Sequence, residues 1–200
     1  MFITSSEGGV RGTMKKTRPF AVSIVVLLFF VLILQAKTYV DEFEAKILPG
    51  HGPDARMARK FIIAVEKYTT PEDVVGLIEV FKNQGYKKFR KAFHKMKKGF
   101  IRPMGGLGTK VTINAAQDIP TASGREIILV GESQSWDQDS IGRVDRRFPY
   151  LVVKLHLDDK GKGTGEIYVQ ANIRLYSQGA IRMTGYNLPP KQLVGVTTLN

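Results

Sequence analysis

The chain has 200 residues, of which 43% are hydrophobic and 24% charged, so it can bury one core and is too apolar to be disordered over most of its length. It contains no cysteine, which excludes disulfide frameworks, thiolate zinc sites and cysteine nucleophiles. The formal net charge of +12 favours polyanionic partners, namely acidic lipid headgroups, nucleic acid or acidic polysaccharide.

The first predicted element is a hydrophobic export segment. Residues 20–34 read FAVSIVVLLFFVLIL and follow the basic stretch MKKTR. A basic region followed by about 7–15 apolar residues is typical of a secretory signal, whereas a span of the ~30 Å hydrocarbon core usually needs about 20 residues. We therefore predict that residues 1–36 form an N-terminal tail and a signal peptide, and that residues 37–200 form a single exported domain, periplasmic or secreted.

Retention of this segment is an open alternative to cleavage. The cut would follow Ala36, but Leu34 stands where a signal peptidase site usually has a small residue. Without cleavage, residues 20–36 would stay in the membrane as a signal anchor, with the preceding basic residues on the cytoplasmic side. Met1 and Met14 are both candidate start residues, and a conventional leader begins at Met14.

The exported domain is predicted to begin with a hairpin. Residues 40–47 and 59–68 show the alternation expected of strands, and the stretch LPGHGPDA between them contains two Pro and two Gly.

Two helices are predicted next. Thr70 suits an N-cap and Pro71 the first helical position, and the first helix ends near Asn83 to Gly85, where Gly85 would supply a left-handed C-cap. The second helix covers residues 86–98 and is stopped by Gly99; its apolar face contains Tyr86, Phe89, Phe93 and Met96.

From residue 100 onward the chain has a β pattern interrupted by turn clusters. The stretch DDKGKG predicts a tight hairpin. The candidate strands cover residues 100–103, 109–116, 125–132, 148–157, 164–175, 180–186 and 192–198. The predicted fold class is therefore α+β: an antiparallel β-sheet of roughly 7–9 strands with a pair of helices packed on one face, preceded by the N-terminal hydrophobic export helix.

Several stretches together carry a family resemblance. They are TPEDVV, the Gly99–Ile101 segment, GREII from Gly124, LHLDDKGKGTGEIYVQANI, and GYNLPPKQLVGV. With them the chain resembles a family of small, uncharacterised secreted bacterial proteins over roughly residues 40–197, which implies a fold and an exported location but no activity. It departs from the family after the strand at 126–130, where GESQSWDQDS replaces a T-D-R-P-like segment. Any chemistry of the family that depends on this segment is not expected here.

The second predicted helix is the strongest candidate for a binding surface. Its bases stand opposite the apolar face and no acid lies among them. Such a basic amphipathic helix can lie on an anionic membrane surface or neutralise phosphates. The same pattern is also expected of a helix whose apolar face packs on the sheet and whose bases are solvated. The candidate anion-binding residues are Lys87, Lys88, Arg90, Lys91, Lys95, Lys97 and Lys98.

A second candidate is the polar loop that contains Trp136, Asp137 and Asp139. It resembles a calcium loop but lacks the oxygen ligands at two required positions, so we predict at most a ligand-binding loop. Ser133 and His156, with one of the aspartates, are the only residues we consider for a catalytic triad. No metal site is predicted.

The sequence therefore predicts an exported, non-enzymatic domain that binds anionic envelope polymers or lipids through the basic helix. Two alternatives stay open: a small hydrolase with a site assembled from loops, and a membrane-anchored structural protein of the cell envelope. No cofactor is predicted. The membrane is an expected partner, at least through the N-terminal segment during export. Anionic lipid or polysaccharide is a second possible partner. Nucleic acid is not expected, because the domain is predicted to be exported.

Overall fold

The computed structural model describes residues 39–47, 59–105, 110–133 and 145–199. Within these ranges there are nine strands and one helix. The strands are β1 (Asp41–Ile47), β2 (Arg59–Val65), β3 (Gly99–Pro103), β4 (Val111–Thr121), β5 (Gly124–Glu132), β6 (Tyr150–Leu157), β7 (Lys162–Leu175), β8 (Ile181–Tyr186) and β9 (Lys191–Thr198), and the helix is α1 (Pro71–Lys95).

Eight of the strands close into an antiparallel barrel. Their order is β6-β5-β4-β3-β2-β1-β9-β7, and a further pairing between β6 and β7 completes the ring. The long strand β7 pairs with β9 along its first half and with β8 along its second half. Strand β8 therefore lies outside the ring and extends the sheet beyond it.

The closed barrel overturns the predicted fold class. We predicted a sheet with one face covered by a pair of helices, whereas the described part of the chain is mostly sheet with one helix, and β1 pairs with β9. Local alternation predicts that a segment is a strand, but it does not tell which distant strands meet. The positions of the nine strands were largely predicted, with boundaries displaced by a few residues; β4, for example, continues to Thr121 rather than ending at 116.

The barrel interior is filled by apolar side chains, as expected for a barrel of eight strands. Every strand of the ring contributes, and alternate residues point inward. Phe43, Ile63, Ile101, Leu155 and Leu193 are examples, each no more than about 1% exposed. This core leaves the outer face of the barrel as the surface on which the helix packs.

A second apolar core lies between α1 and the outer face of β4 to β8. Val74 and Phe93 of the helix pack there against Ile128, Val152 and residues of the neighbouring strands. Strands β5 and β6 are therefore buried on both faces, which explains why their apolar runs are continuous rather than alternating.

The helix begins where the sequence predicts. The Thr70 hydroxyl accepts a hydrogen bond from the Asp73 amide, the Asp73 carboxylate accepts one from the Thr70 amide, and Pro71 is the first helical residue. Gly85 has φ 75° and ψ 178°, so its φ is positive, but its ψ lies outside the left-handed helical region of the predicted C-cap. The two predicted helices are one element, bent at this glycine.

Residues 1–38, which include the predicted export segment, lie outside the described residues. So does the loop at residues 134–144. In the part of the chain that the structure describes, no helix is both long enough and apolar enough to cross a membrane.

Candidate anion-binding surface

Both ends of α1 are fixed to strand β4. The Thr69 amide donates to the Ala116 carbonyl at 2.7 Å, and the Ala116 amide donates to the Thr69 hydroxyl at 2.9 Å. At the other end, the buried Asn114 side chain donates to the carbonyls of His94 and Met96 at 3.2 and 2.9 Å. The bend at Gly85 therefore lies between two anchored arms.

The bend forms an exposed apex, which we define as residues 81–88. All eight residues are exposed to solvent. Gly85 sits at its centre with a φ that disfavours residues with a β-carbon. Three of the eight residues are lysines and none is acidic: Lys82, Lys87 and Lys88.

The apex continues into a wider basic surface, defined here as the exposed lysines Lys82, Lys87, Lys88, Lys91, Lys95 and Lys97. None of the six forms an ion pair with another residue that the structure describes. The segment from Phe81 to Lys98 contains no acid. Within the described part of the chain, no carboxylate neutralises the positive charge of this surface.

Lys98 was predicted to belong to this surface, but the structure buries it. Its side chain is 4% exposed, and its ammonium group is 2.5 Å from the Asp73 carboxylate and 3.5 Å from the Tyr68 carbonyl. Burial of Asp73 alone would raise the pKa of that carboxyl, but the hydrogen bonds from Lys98 and from the Thr70 amide outweigh it and lower the pKa. Lys98 therefore ties the end of the helical segment to its beginning.

Arg90 is also engaged within the protein. Its guanidinium donates to the Glu132 carboxylate at 3.2 and 3.5 Å, and this hydrogen bonding raises the pKa of Arg90. The His94 imidazole nitrogen Nδ1 lies 3.5 Å from the same carboxylate. These three side chains, with Tyr86, Lys87 and Lys91, line an open depression of about 510 Å³. Glu132 is the one acid in the lining.

Two exposed aromatic rings flank the bend, and sequence reasoning missed their exposure. Phe81 is 50% and Tyr86 51% exposed, although Tyr86 was predicted to lie on the apolar face of the second helix. Each ring contacts Phe89, with centroid distances of 5.8 and 6.0 Å, and Phe89 is itself buried against Phe93. The signal in the sequence was the glycine between them, because the rings lie on either side of the bend at Gly85, where the segment is exposed.

The loop residues Trp136, Asp137 and Asp139 lie outside the described residues. The residues considered for a triad are separated: Ser133 follows the end of β5, whereas His156 pairs with Glu126 near the opposite end of that strand. The distance along the strand is about 20 Å. The Ser133 hydroxyl is buried and donates to the Val169 carbonyl. Among the described residues there is also no group of three metal-ligating side chains.

A second charged cluster closes one end of the barrel; we call Asp41, Tyr68, Asp118 and Arg125 the closed end. The Arg125 guanidinium donates to both oxygens of the Asp41 carboxylate at 2.8 and 3.0 Å and to Asp118 at 3.2 Å. The Tyr68 hydroxyl donates to Asp41 at 2.5 Å. Hydrogen bonding to Asp41 raises the pKa of Arg125, and burial, with the same carboxylate, raises that of Tyr68. Each charge is matched inside the protein.

No protein-family model, curated protein or solved structure matches the chain. The resemblance to small secreted bacterial proteins stays a prediction.

Proposed function

We propose that this chain is an exported, non-enzymatic binding domain whose basic surface holds anionic components of the cell envelope. The observation that supports it most is the set of exposed lysines on α1 and its C-terminal extension without an ion-pair partner among the described residues. Elsewhere in the fold, the bases Arg125 and Lys98 are matched by carboxylates. A surface that keeps its charges unmatched is suited to an external anion.

The expected strength follows from the number of lysines. Each lysine near an acidic surface contributes about 1 kcal/mol, so a few of them acting together give useful affinity. The attraction is screened beyond about 8 Å at physiological ionic strength. Binding should therefore weaken steeply as salt is added.

The non-enzymatic part of the proposal is supported by the distance between Ser133 and His156 and by the hydrogen bond of the Ser133 hydroxyl to a backbone carbonyl. A serine nucleophile needs a base within hydrogen-bond reach.

The test is a titration of the full chain with dextran sulfate, a soluble polyanion that offers no bilayer to the N-terminal segment. Neutral dextran is the matched probe, and the salt concentration is raised in steps. We expect binding to dextran sulfate that falls with salt, and none to neutral dextran. Equal binding to the two polymers, or binding to neither, would overturn the proposal.

Two variants locate the site. Lys87→Gln with Lys88→Gln should weaken binding about tenfold, which corresponds to a loss of about 1.4 kcal/mol out of the roughly 2 kcal/mol that two lysines can contribute. The charge-matched control is Lys160→Gln with Lys162→Gln, two exposed lysines in the β6–β7 turn at the Arg125 end of the barrel. It should change binding less than about twofold.

A third variant should strengthen binding. Glu132→Gln removes the one acid that lines the depression and releases Arg90 and His94 from their carboxylate partner. The affinity for dextran sulfate should therefore rise. An unchanged or lower affinity in a folded variant would place the anion elsewhere on the surface.

A further inference from the structure

We propose that the partner of the apex is the surface of an anionic lipid bilayer, with Phe81 entering the interfacial region and Tyr86 lying at its level. This inference rests on the proposed function and names its ligand. It makes the apex, rather than the whole basic surface, the point of contact.

The first observation is where the exposed aromatic rings lie. In the part of the chain that the structure describes, three aromatic side chains are about half exposed, and two of them, Phe81 and Tyr86, belong to the apex. They stand among Lys82, Lys87 and Lys88, and the apex itself contains no acid. Apolar rings beside lysines match a membrane interface, which is apolar below and anionic at the headgroups.

The second observation is that the rings are held in place. Phe81 and Tyr86 both rest on Phe89, which is buried in the core under the helix. Tyr86 also lies close to Tyr150, whose pKa is raised by burial first and by Tyr86 as well. The apex is therefore preorganised, and little side-chain freedom is lost when it docks.

The orientation of the rings favours lipid over polysaccharide. Phe81 meets Phe89 edge-on at 85°, whereas Tyr86 is tilted by only 32° to the same ring. The two exposed rings are therefore not coplanar and do not make the flat platform on which a sugar chain would stack. A bilayer interface accepts rings at any inclination.

The experiment places a local reporter on the apex of the full chain. The protein has no cysteine, so Gln84→Cys carries a single polarity-sensitive nitrobenzoxadiazole label at the exposed apex. Lys160→Cys, labelled in the same way, is the control in the β6–β7 turn. Because both proteins keep the same N-terminal segment, its own insertion affects them equally.

Each labelled protein is mixed with neutral phosphatidylcholine vesicles, with vesicles containing phosphatidylglycerol, and with dextran sulfate. With the acidic vesicles we expect a blue shift and quenching by spin-labelled lipid at residue 84, and neither at residue 160. A response of residue 84 to dextran sulfate but not to acidic vesicles would overturn the lipid assignment while leaving the proposed function standing. If residue 84 responded to none of the anionic probes, both the lipid assignment and the proposed function would be overturned.

Variants then test the ring that enters the interface. Phe81→Ser should lower partition into acidic vesicles about tenfold, because apolar area no longer leaves water, and Tyr186→Ser is the control with a similarly exposed ring away from the apex. Phe81→Trp should increase partition, since tryptophan favours the interface, and it keeps the test valid if the serine variant folds poorly. Unchanged partition in Phe81→Trp and folded Phe81→Ser would contradict the proposal.

Discussion

The closed end of the barrel and the basic surface both contain positively charged side chains but use them in opposite ways. At the closed end, Arg125 is held by two carboxylates and the partly buried Tyr68 shares one of them. On the basic surface, exposed lysines face solvent without an ion-pair partner among the described residues. Burial and pairing, rather than charge, therefore separate the residues that stabilise this fold from those available to a ligand.

The largest expected effect comes from breaking the closed end. Arg125→Met leaves Asp41 nearly buried without its cation and should lower the free energy of unfolding by about 3 kcal/mol. Urea denaturation measures this loss. Asp41→Asn added to Arg125→Met should recover part of it. If Arg125→Met were as stable as the wild type, the closed end would not stabilise the barrel as we describe.

The next effect concerns Lys98, which was predicted to lie on the basic surface but is buried in the structure. Asp73→Ala removes the partner of this buried ammonium group and also the reciprocal cap with Thr70, so we expect a loss of about 2–3 kcal/mol. Thermal and urea unfolding provide the measurement. Lys98→Met in the Asp73→Ala background should restore stability, and no restoration would mean that the pair is not coupled.

The pairing of Asp73 with Lys98 should also make the stability of the protein depend on pH. The pKa of Asp73 is lowered in the folded protein, so its contribution to stability is complete above the ordinary range of an aspartate, about 4, and is lost as the pH falls through the lower folded value. The free energy of unfolding should decrease more steeply below about pH 4 in the wild type than in Asp73→Asn. Parallel pH profiles would contradict this assignment.

A smaller effect is expected at the bend. Gly85→Ala places a β-carbon at φ 75°, and because nothing lies within 4 Å of that position, only the backbone strain opposes it. The cost should be about 1 kcal/mol. Gly76→Ala, in the helix with an open position for its β-carbon, is the control and should be neutral or stabilising. Equal melting temperatures of Gly85→Ala and wild type would show that the bend does not require glycine.

The smallest effect on stability is expected on the basic surface. Lys87→Gln with Lys88→Gln should change the free energy of unfolding by no more than about 0.5 kcal/mol, because neither exposed lysine has an ion-pair partner among the described residues. Urea denaturation under the conditions of the binding assay measures it. A larger loss would mean that these lysines support the fold.

The strands and the helix start were predictable because their signals are local. Thr70 and Pro71 mark a cap, Gly85 a positive φ, and the apolar runs of β5 and β6 mark strands buried on both faces. Closure was not predictable, since the pairing of β1 with β9 joins the two ends of the domain and no local pattern records it. The basic surface was predicted in outline, whereas Lys98 could not be separated from Lys97 without the contact to Asp73.

The most direct test of the account titrates dextran sulfate into two full-length variants, one from each region. Lys87→Gln with Lys88→Gln should bind about tenfold more weakly than the wild type, whereas Arg125→Met, measured where it remains folded, should bind as the wild type does. A lysine variant that keeps full affinity, or an Arg125 variant that loses it while folded, would contradict the division between the two regions.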